Sequence, residues 1–259
     1  MVTEIRLATR GPVAEIVLDG PESRNALDAD SLRALAEAVS TVAESVPAVR
    51  VLLIRGEGKV FCSGRDISAV DVETDDAYAF LAEVFTPIVQ AIRGLSIPVV
   101  AQVQGAALGL GFGLAAAADI IYAAEDAKFG SPFAAIGAML DSGAHHVFLD
   151  RVGYHRTMDL IVTGDFMSGA EAAATGIVSR AVPATELADF VEAKLDRIVT
   201  GPAEAYAMEK GFVQRLADER PSFAEVLDAE AHLQETARRT PDYAEGFRAF
   251  QERRKPNFG

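Results

Sequence analysis

Residues with specialised chemistry are scarce in this 259-residue chain, which has one cysteine, no tryptophan and four histidines. A single cysteine, Cys62, excludes a framework of intrachain disulfides, and a buried structural thiol is the simpler interpretation than a nucleophile. The adjacent His145 and His146 would point about 100° apart on a helix, so they cannot easily share a metal ion. The sequence therefore predicts neither a disulfide scaffold nor a metal centre.

Long apolar runs and basic charge are also missing. The longest aliphatic runs, near residues 51–54 and 114–118, are far shorter than the roughly 20 residues that span a bilayer. The first residues carry no signal-peptide pattern. The net charge of −14 disfavours nucleic acid and anionic membranes as partners. We expect a cytoplasmic protein in which any phosphate site is built locally from a few basic side chains or helix N-termini.

Hydrophobic periodicity predicts alternating strands and helices up to about residue 184. This order predicts an α/β fold with parallel crossovers, and the charged helical segments that follow predict a C-terminal helical subdomain at 185–259 beside a core at 1–184. The predicted strands are 5–19 (two strands with a turn at Gly11-Pro12), 49–55, 98–103, 120–123 and 177–182. The predicted helices open at 25–28 (capped by Asp28 or Asp30) and cover 75–95, 114–118, 186–199, 203–215, 223–238 and 242–253.

Two glycine-containing loops each follow a predicted strand, at residues 61–66 and 105–113. Glycine lets backbone amides approach a ligand closely, and the helix after the second loop adds positive potential. Two amides directed at one point would form an oxyanion hole, although each loop taken alone is more often a plain tight turn. The glycine spacing does not match a dinucleotide-binding loop, and neither a P-loop nor a serine-nucleophile motif is present.

Asp141 is the candidate acid or base. It lies among Ile136, Met139 and Leu140, and apolar surroundings raise the pKa of a carboxyl group so that it can act as a base. Aspartate is also a favoured N-cap, and a helix is predicted through residues 145–149. The residues alone leave both interpretations open.

These motifs, in this order, resemble the crotonase (enoyl-CoA hydratase/isomerase) superfamily over nearly the whole chain. The matching segments include Arg24-Asn-Ala-Leu27, Phe61-Cys-Ser-Gly-Arg-Asp-Ile67, the glycine run at 105–113, Lys128-Phe-Gly130, Asp141 and Arg151-Val-Gly153. The resemblance implies a crotonase-like spiral of ββα repeats with a C-terminal helical subdomain for trimerisation. It also implies an acyl-CoA thioester as substrate, no separate cofactor, and a homotrimer or dimer of trimers.

The resemblance also implies roles for individual residues. The backbone amides of Arg65 and Leu110 would form the oxyanion hole, and Arg24 would lie near the CoA phosphates. The remaining substrate-binding positions would be Ala26, Ser63, Gly64, Asp66, Ile67, Gly109 and Phe133.

The chain departs from the hydratase pattern at both catalytic glutamates, where it has Gly113 and Phe133. Asp141 instead matches the functional aspartate of the ring-epoxide isomerases of phenylacetyl-CoA breakdown, which are the closest resemblance. Aryl-CoA dehalogenases also carry an aspartate there, but they need a tryptophan that is missing here. We therefore expect an acyl-CoA isomerase in which Asp141 moves a proton between Cα and Cγ. The alternatives are a hydratase that uses Asp141 and water, and an acyl-CoA binder without turnover.

Overall fold

The computed structural model describes residues 2–68 and 70–258. Its main sheet begins with the predicted hairpin. Its two strands, β1 (Glu4–Arg10) and β2 (Val13–Asp19), pair antiparallel. The sheet continues in parallel through β3 (Val51–Gly56), β4 (Val99–Val103), β6 (Ile120–Ala124) and β9 (Arg180–Val182). The α/β class predicted from the sequence is confirmed, although β9 is shorter than the predicted strand at 177–182.

A second, three-stranded sheet takes its first strand from the segment that the sequence predicts as a glycine-rich loop. It contains β5 (Ala106–Leu108), β7 (Lys128–Gly130) and β8 (Met167–Ser168), in that order. The prediction of a loop over 105–113 is therefore wrong for β5 and also for α4 (Leu110–Ala116), which starts inside the same segment. The first glycine loop supplies the hydrogen bonds that make this segment regular, and sequence periodicity does not contain them.

The first helix, α1 (Ala29–Glu44), begins at the expected cap. The Asp28 carboxylate accepts a hydrogen bond from the Ser31 backbone N–H at 2.8 Å, and the Ser31 hydroxyl accepts one from the Asp28 N–H at 2.8 Å. This reciprocal capping box satisfies two donors that a helix start leaves unpaired. Asp30 lies in the first turn instead.

The helix predicted over 75–95 is divided into three pieces. A short α2 (Ala77–Ala79) leads into a π-helical turn at Phe80–Phe85, which passes into α3 (Thr86–Gly94). π-Helical turns are rare and often lie at functional sites, because the wide turn redirects side chains.

Of the two interpretations left open for Asp141, the structure does not support the one as an N-cap of the following helix. That helix, α5 (Ala144–Thr163), has Gly143 at its N-cap and no side-chain capping bond. The backbone of α5 breaks at Gly153, where φ is 74° and ψ is 175°. A short α6 (Gly169–Ala174) follows between β8 and β9.

Four helices close the chain, as predicted, with bounds that differ from the prediction by a few residues. They are α7 (Leu187–Val199), α8 (Ala203–Glu219), α9 (Phe223–Ala237) and α10 (Pro241–Gln251). No helix in the described part of the chain is long and apolar enough to cross a bilayer. The division of the chain into 1–184 and 185–259 stays a prediction.

Candidate active site

The two glycine loops lie against each other. The Cys62 N–H donates to the Ala106 carbonyl at 3.0 Å, and the Leu108 N–H donates to the Cys62 carbonyl at 3.0 Å. Gly64 has φ +104°, and a Cβ built there would lie 2.9 Å from the Leu108 carbonyl oxygen. A side chain at position 64 would therefore force the loops apart, which explains the glycine.

This contact brings together two backbone amides, those of Arg65 and Leu110, that have no hydrogen-bond acceptor among the residues that the structure describes. The Leu27 N–H bonds the Gly64 carbonyl and the Asp66 N–H bonds the Leu27 carbonyl, both at 2.8 Å. Because backbone groups alternate in direction along an extended chain, the Arg65 N–H between them points the opposite way. Leu110 is the first residue of α4, so its N–H has no acceptor within the helix. A Cβ built on Gly64, the residue before Arg65, would lie only 3.6 Å from the Leu110 nitrogen. The N–H groups of Arg65 and Leu110 are therefore neighbours.

A cavity of about 860 Å³ opens beside these donors. Of the residues predicted from the sequence, those that line it are Ser63, Gly64, Arg65, Ile67, Gly109, Leu110, Phe133 and Asp141. Apolar side chains from Phe80, Leu81 and the segment before Asp141 form most of the remaining wall. The volume is suited to a drug-sized or acyl-sized ligand with a few polar contacts.

Three predicted binding residues do not line this cavity. The Arg24 carbonyl accepts from the Ser63 N–H at 3.1 Å, so Arg24 supports the wall from behind, with its exposed side chain outside. The Ala26 carbonyl accepts from the Thr3 hydroxyl at 2.6 Å. The Asp66 carboxylate accepts a hydrogen bond from the Ser68 N–H at 2.9 Å, and hydrogen bonding to Ser68 lowers the pKa of Asp66.

Asp141 reaches the cavity from the turn between Leu140, which is buried, and α5. Its side chain is half-buried, and its Oδ1 accepts a hydrogen bond from the Ser142 hydroxyl at 2.6 Å. Desolvation raises the pKa of the Asp141 carboxyl, while the Ser142 hydrogen bond and the charges of Arg65 and His145 act in the opposite direction. A carboxyl group with a raised pKa is a better proton acceptor once it is ionised.

The positions of the two missing glutamates are filled differently. A Cβ built on Gly113 would lie 2.5 Å from the Ser142 Cβ and 2.7 Å from the Ser142 carbonyl oxygen, so this turn occupies the space of a larger residue. The Phe133 ring lies against Gly109, whose built Cβ would be 3.3 Å from the Phe133 Cζ. An aromatic edge thus packs on the loop beside the Leu110 amide.

The charged partner of Arg65 is not apparent from the sequence. The Arg65 guanidinium donates to both oxygens of Asp75, at 2.5 and 3.0 Å, and its central carbon lies 3.9 Å from the centre of the Phe80 ring. Arg65 and Asp75 side chains are each 23% exposed. Hydrogen bonding to Arg65 lowers the pKa of Asp75. No short-range pattern links these residues, because the pair depends on the path of the intervening loop.

Cys62 is unsuited to nucleophilic chemistry in this conformation. It is fully buried, and burial raises the pKa of its thiol to about 12. A thiol is a strong nucleophile only as the thiolate. The interpretation as a small buried core residue therefore fits the structure.

The chain belongs to the enoyl-CoA hydratase/isomerase family, whose family model matches residues 8–259. The Bacillus subtilis (strain 168) protein YhaR, named as an enoyl-CoA hydratase/isomerase, is 34% identical over 255 residues and 98% of both chains. The Escherichia coli (strain K12) 1,2-epoxyphenylacetyl-CoA isomerase is 30% identical over 250 residues, 95% of this chain and 94% of the relative.

A solved structure shows the same fold. A crystal structure from Mycobacterium abscessus, described as an enoyl-CoA hydratase/isomerase, superposes with a TM-score of 0.90 at 31% identity and covers 99% of each chain. The crotonase-type fold expected from the resemblance is therefore confirmed, and an acyl-CoA thioester is a substrate consistent with the family.

Proposed function

We propose that the protein is an acyl-CoA isomerase that moves a proton, and with it a double bond, next to a CoA thioester. The observation that carries the proposal is the position of Asp141 in a largely apolar cavity beside the Arg65 and Leu110 amides. The other carboxylate of the cavity wall, Asp75, is held by the Arg65 guanidinium, which leaves Asp141 as the available base.

Each part of the site has a task in this reaction. The Arg65 and Leu110 amides donate to the thioester oxygen, and Asp141 removes a proton from Cα of a 3-enoyl thioester. The electron pair passes into a dienolate whose oxygen the two amides stabilise, at about 3–4 kcal/mol for each donor. Asp141 then returns the proton to Cγ, which gives the 2-enoyl thioester and restores the base.

The second candidate function is hydration of an enoyl-CoA, with Asp141 and water as the reacting groups. The names of the relatives favour it, since several are enoyl-CoA hydratases, including a Rhodobacter capsulatus relative that is 34% identical. The Escherichia coli isomerase among the relatives and the Phe133 ring beside the amides favour isomerisation. A cytoplasmic location and the lack of a separate cofactor or metal stay predictions from the sequence.

Replacement of Asp141 tests the proposal directly. On a 3-enoyl-CoA, the wild-type enzyme is expected to form 2-enoyl-CoA of unchanged mass, and Asp141→Asn is expected to lose on the order of 10²-fold or more in turnover, because a general base is removed. The measurement is product analysis by mass and double-bond position. Asp126→Asn, an exposed carboxylate in the turn between β6 and β7, is the charge-matched control.

The other outcomes are equally informative. A product heavier by one water assigns the protein to the hydratases. Acyl-CoA binding without turnover, unchanged by Asp141→Asn, indicates a non-catalytic binder. Full isomerase activity in Asp141→Asn contradicts the proposed role of this residue.

We also propose that the C-terminal helices join copies of the chain into a trimer or a dimer of trimers. Large apolar side chains on these helices are exposed, among them Phe223 at 77% and Phe250 at 85%. Light scattering after size exclusion is expected to give three or six times the 27.5 kDa of one chain. Phe223→Asp is expected to lower this mass and Glu219→Gln to leave it unchanged. A wild-type mass of one chain contradicts the proposal.

A further inference from the structure

Ser142 adjoins Asp141, the proposed base, and has no role in the proton transfer proposed for that carboxylate. Its hydroxyl donates to Oδ1 of Asp141 at 2.6 Å. We infer that Ser142 is a positioning residue that holds Oδ1, so that Oδ2 of Asp141 is the oxygen that takes and returns the substrate proton. This inference rests on the proposed function, because it assigns a partner to the base of that reaction.

The backbone at Ser142 is held in an unfavourable conformation. Its φ is +57°, a region that non-glycine residues seldom adopt, and Gly143 follows with φ +80°. The Asp141 carbonyl accepts from the Ala144 N–H at 3.0 Å, which ties the turn to the start of α5. Strained residues persist where the surroundings over-determine them, and they concentrate at functional sites.

Helix α4 fixes the other side of this turn. A Cβ built on Gly113 would lie 2.5 Å from the Ser142 Cβ and 2.7 Å from the Ser142 carbonyl oxygen, so Ser142 packs directly against that glycine. The turn therefore cannot move towards α4, and the Ser142 hydroxyl is presented to the carboxylate instead of to solvent. The hydrogen bond and the packing together restrict rotation of the Asp141 carboxyl group.

The chemistry balances with one carboxyl oxygen active. The Cα–H bond breaks, an O–H bond forms on Oδ2, and the electron pair moves to the thioester oxygen. Oδ1 is then the carbonyl oxygen of a carboxylic acid and still accepts the Ser142 hydrogen bond. The second half-reaction breaks the same O–H bond and forms Cγ–H, so Ser142 keeps one geometry throughout.

The first test removes the hydroxyl without adding strain. Ser142→Gly suits the positive φ, and it is expected to lower kcat roughly 10- to 100-fold, the loss associated with one hydrogen bond to a charged group, with little change in KM. The acid limb of its pH profile is expected to move to higher pH, since the lost bond favoured the ionised carboxylate. Ser142→Asn, which tolerates positive φ and carries a donor, is expected to recover part of the activity.

A second measurement separates this inference from the proposed function. The Asp141 carboxyl carbon is titrated by ¹³C NMR without substrate, and its resonance is identified by its absence in Asp141→Asn. Its pKa is expected to rise in Ser142→Gly, and an unchanged pKa overturns the inference whether or not any substrate turns over. Wild-type kcat and pH profile in Ser142→Gly overturn it as well. An active Asp141→Asn overturns the proposed function instead.

Discussion

At the scale of single residues, Arg65 contributes to the cavity with both its backbone and its side chain. The backbone N–H lies beside that of Leu110, and the guanidinium pairs with Asp75 above the Phe80 ring. Its charge also acts on Asp141, where it lowers a pKa that burial raises. The charge balance between Arg65 and Asp75 therefore helps to set the pH range in which the Asp141 carboxyl is ionised.

The pH dependence of kcat/KM reports this balance. In the wild type, activity is expected to fall as Asp141 becomes protonated, at a pH above the usual aspartate value of about 3.9. Asp75→Asn leaves the Arg65 charge uncompensated, which lowers the pKa of Asp141 and moves this acid limb to lower pH. Asp71→Asn, an exposed acid of the same loop, is the control. Matching acid limbs in Asp75→Asn and the control count against the coupling.

The sequence predicts part of the cavity and omits another part for a definite reason. Gly64 and Gly109 mark the loops that supply the amides, because close backbone approach requires glycine. Asp141 is found from its apolar neighbours. Asp75 and Ser142 give no such signal, since the first reaches Arg65 through the path of a loop and the second lies in a turn that contacts Gly113 of α4.

At the scale of elements, α4 supplies both a donor and a packing surface. Its first residue presents the Leu110 amide, and Gly113 one turn later receives the turn that carries Asp141. The sequence predicts a helix in this region but starts it at residue 114 because the glycines suggest a loop. The pairing of Ala106 and Leu108 with Cys62 makes this segment a strand, and α4 begins directly after it at Leu110.

A methyl group at position 113 is expected to disturb this packing. Gly113→Ala places a Cβ 2.5 Å from that of Ser142, so the turn must shift. Overpacking of this kind lowers the free energy of unfolding by about 1–3 kcal/mol. Because Asp141 is displaced with the turn, the variant is expected to lose most of its turnover. Gly211→Ala in α8, with open space around it, is the control and is expected to stabilise by about 1 kcal/mol. Thermal unfolding measures the stability of the two variants and a turnover assay measures their activity. Equal activity in Gly113→Ala and Gly211→Ala would contradict a role for the Gly113 contact in holding Asp141.

At the scale of the whole molecule, one buried ion pair connects the C-terminal helices with the main sheet. Lys210 of α8 is 8% exposed and lies 2.8 Å from Asp119, while its ammonium also donates to the Ile97 carbonyl at 3.1 Å. Asp119 accepts in addition from the Val99 N–H at 2.8 Å, at the start of β4. Burial lowers the pKa of Lys210, and the charge of Asp119 opposes this shift.

Loss of this ion pair is expected to destabilise the fold. Lys210→Met keeps the side-chain length but leaves Asp119 without its cation, and removing one partner of a buried pair costs about 3–5 kcal/mol. The lower end applies because Asp119 retains 22% exposure. Denaturant unfolding measures the change. Arg33→Met breaks an exposed pair with Asp30 and should cost less than about 1 kcal/mol. Similar losses in both variants would show that the buried pair has no special weight.

The contact between Gly113 and Ser142 also constrains how this enzyme can change over evolution. A glutamate introduced at position 113 by one substitution would place its side chain where Ser142 already lies, so the single variant would displace the turn that carries Asp141. A larger side chain at 113 would therefore need a compensating replacement in the 141–143 turn. The effects of substitutions at position 113 and in this turn are therefore expected not to be additive.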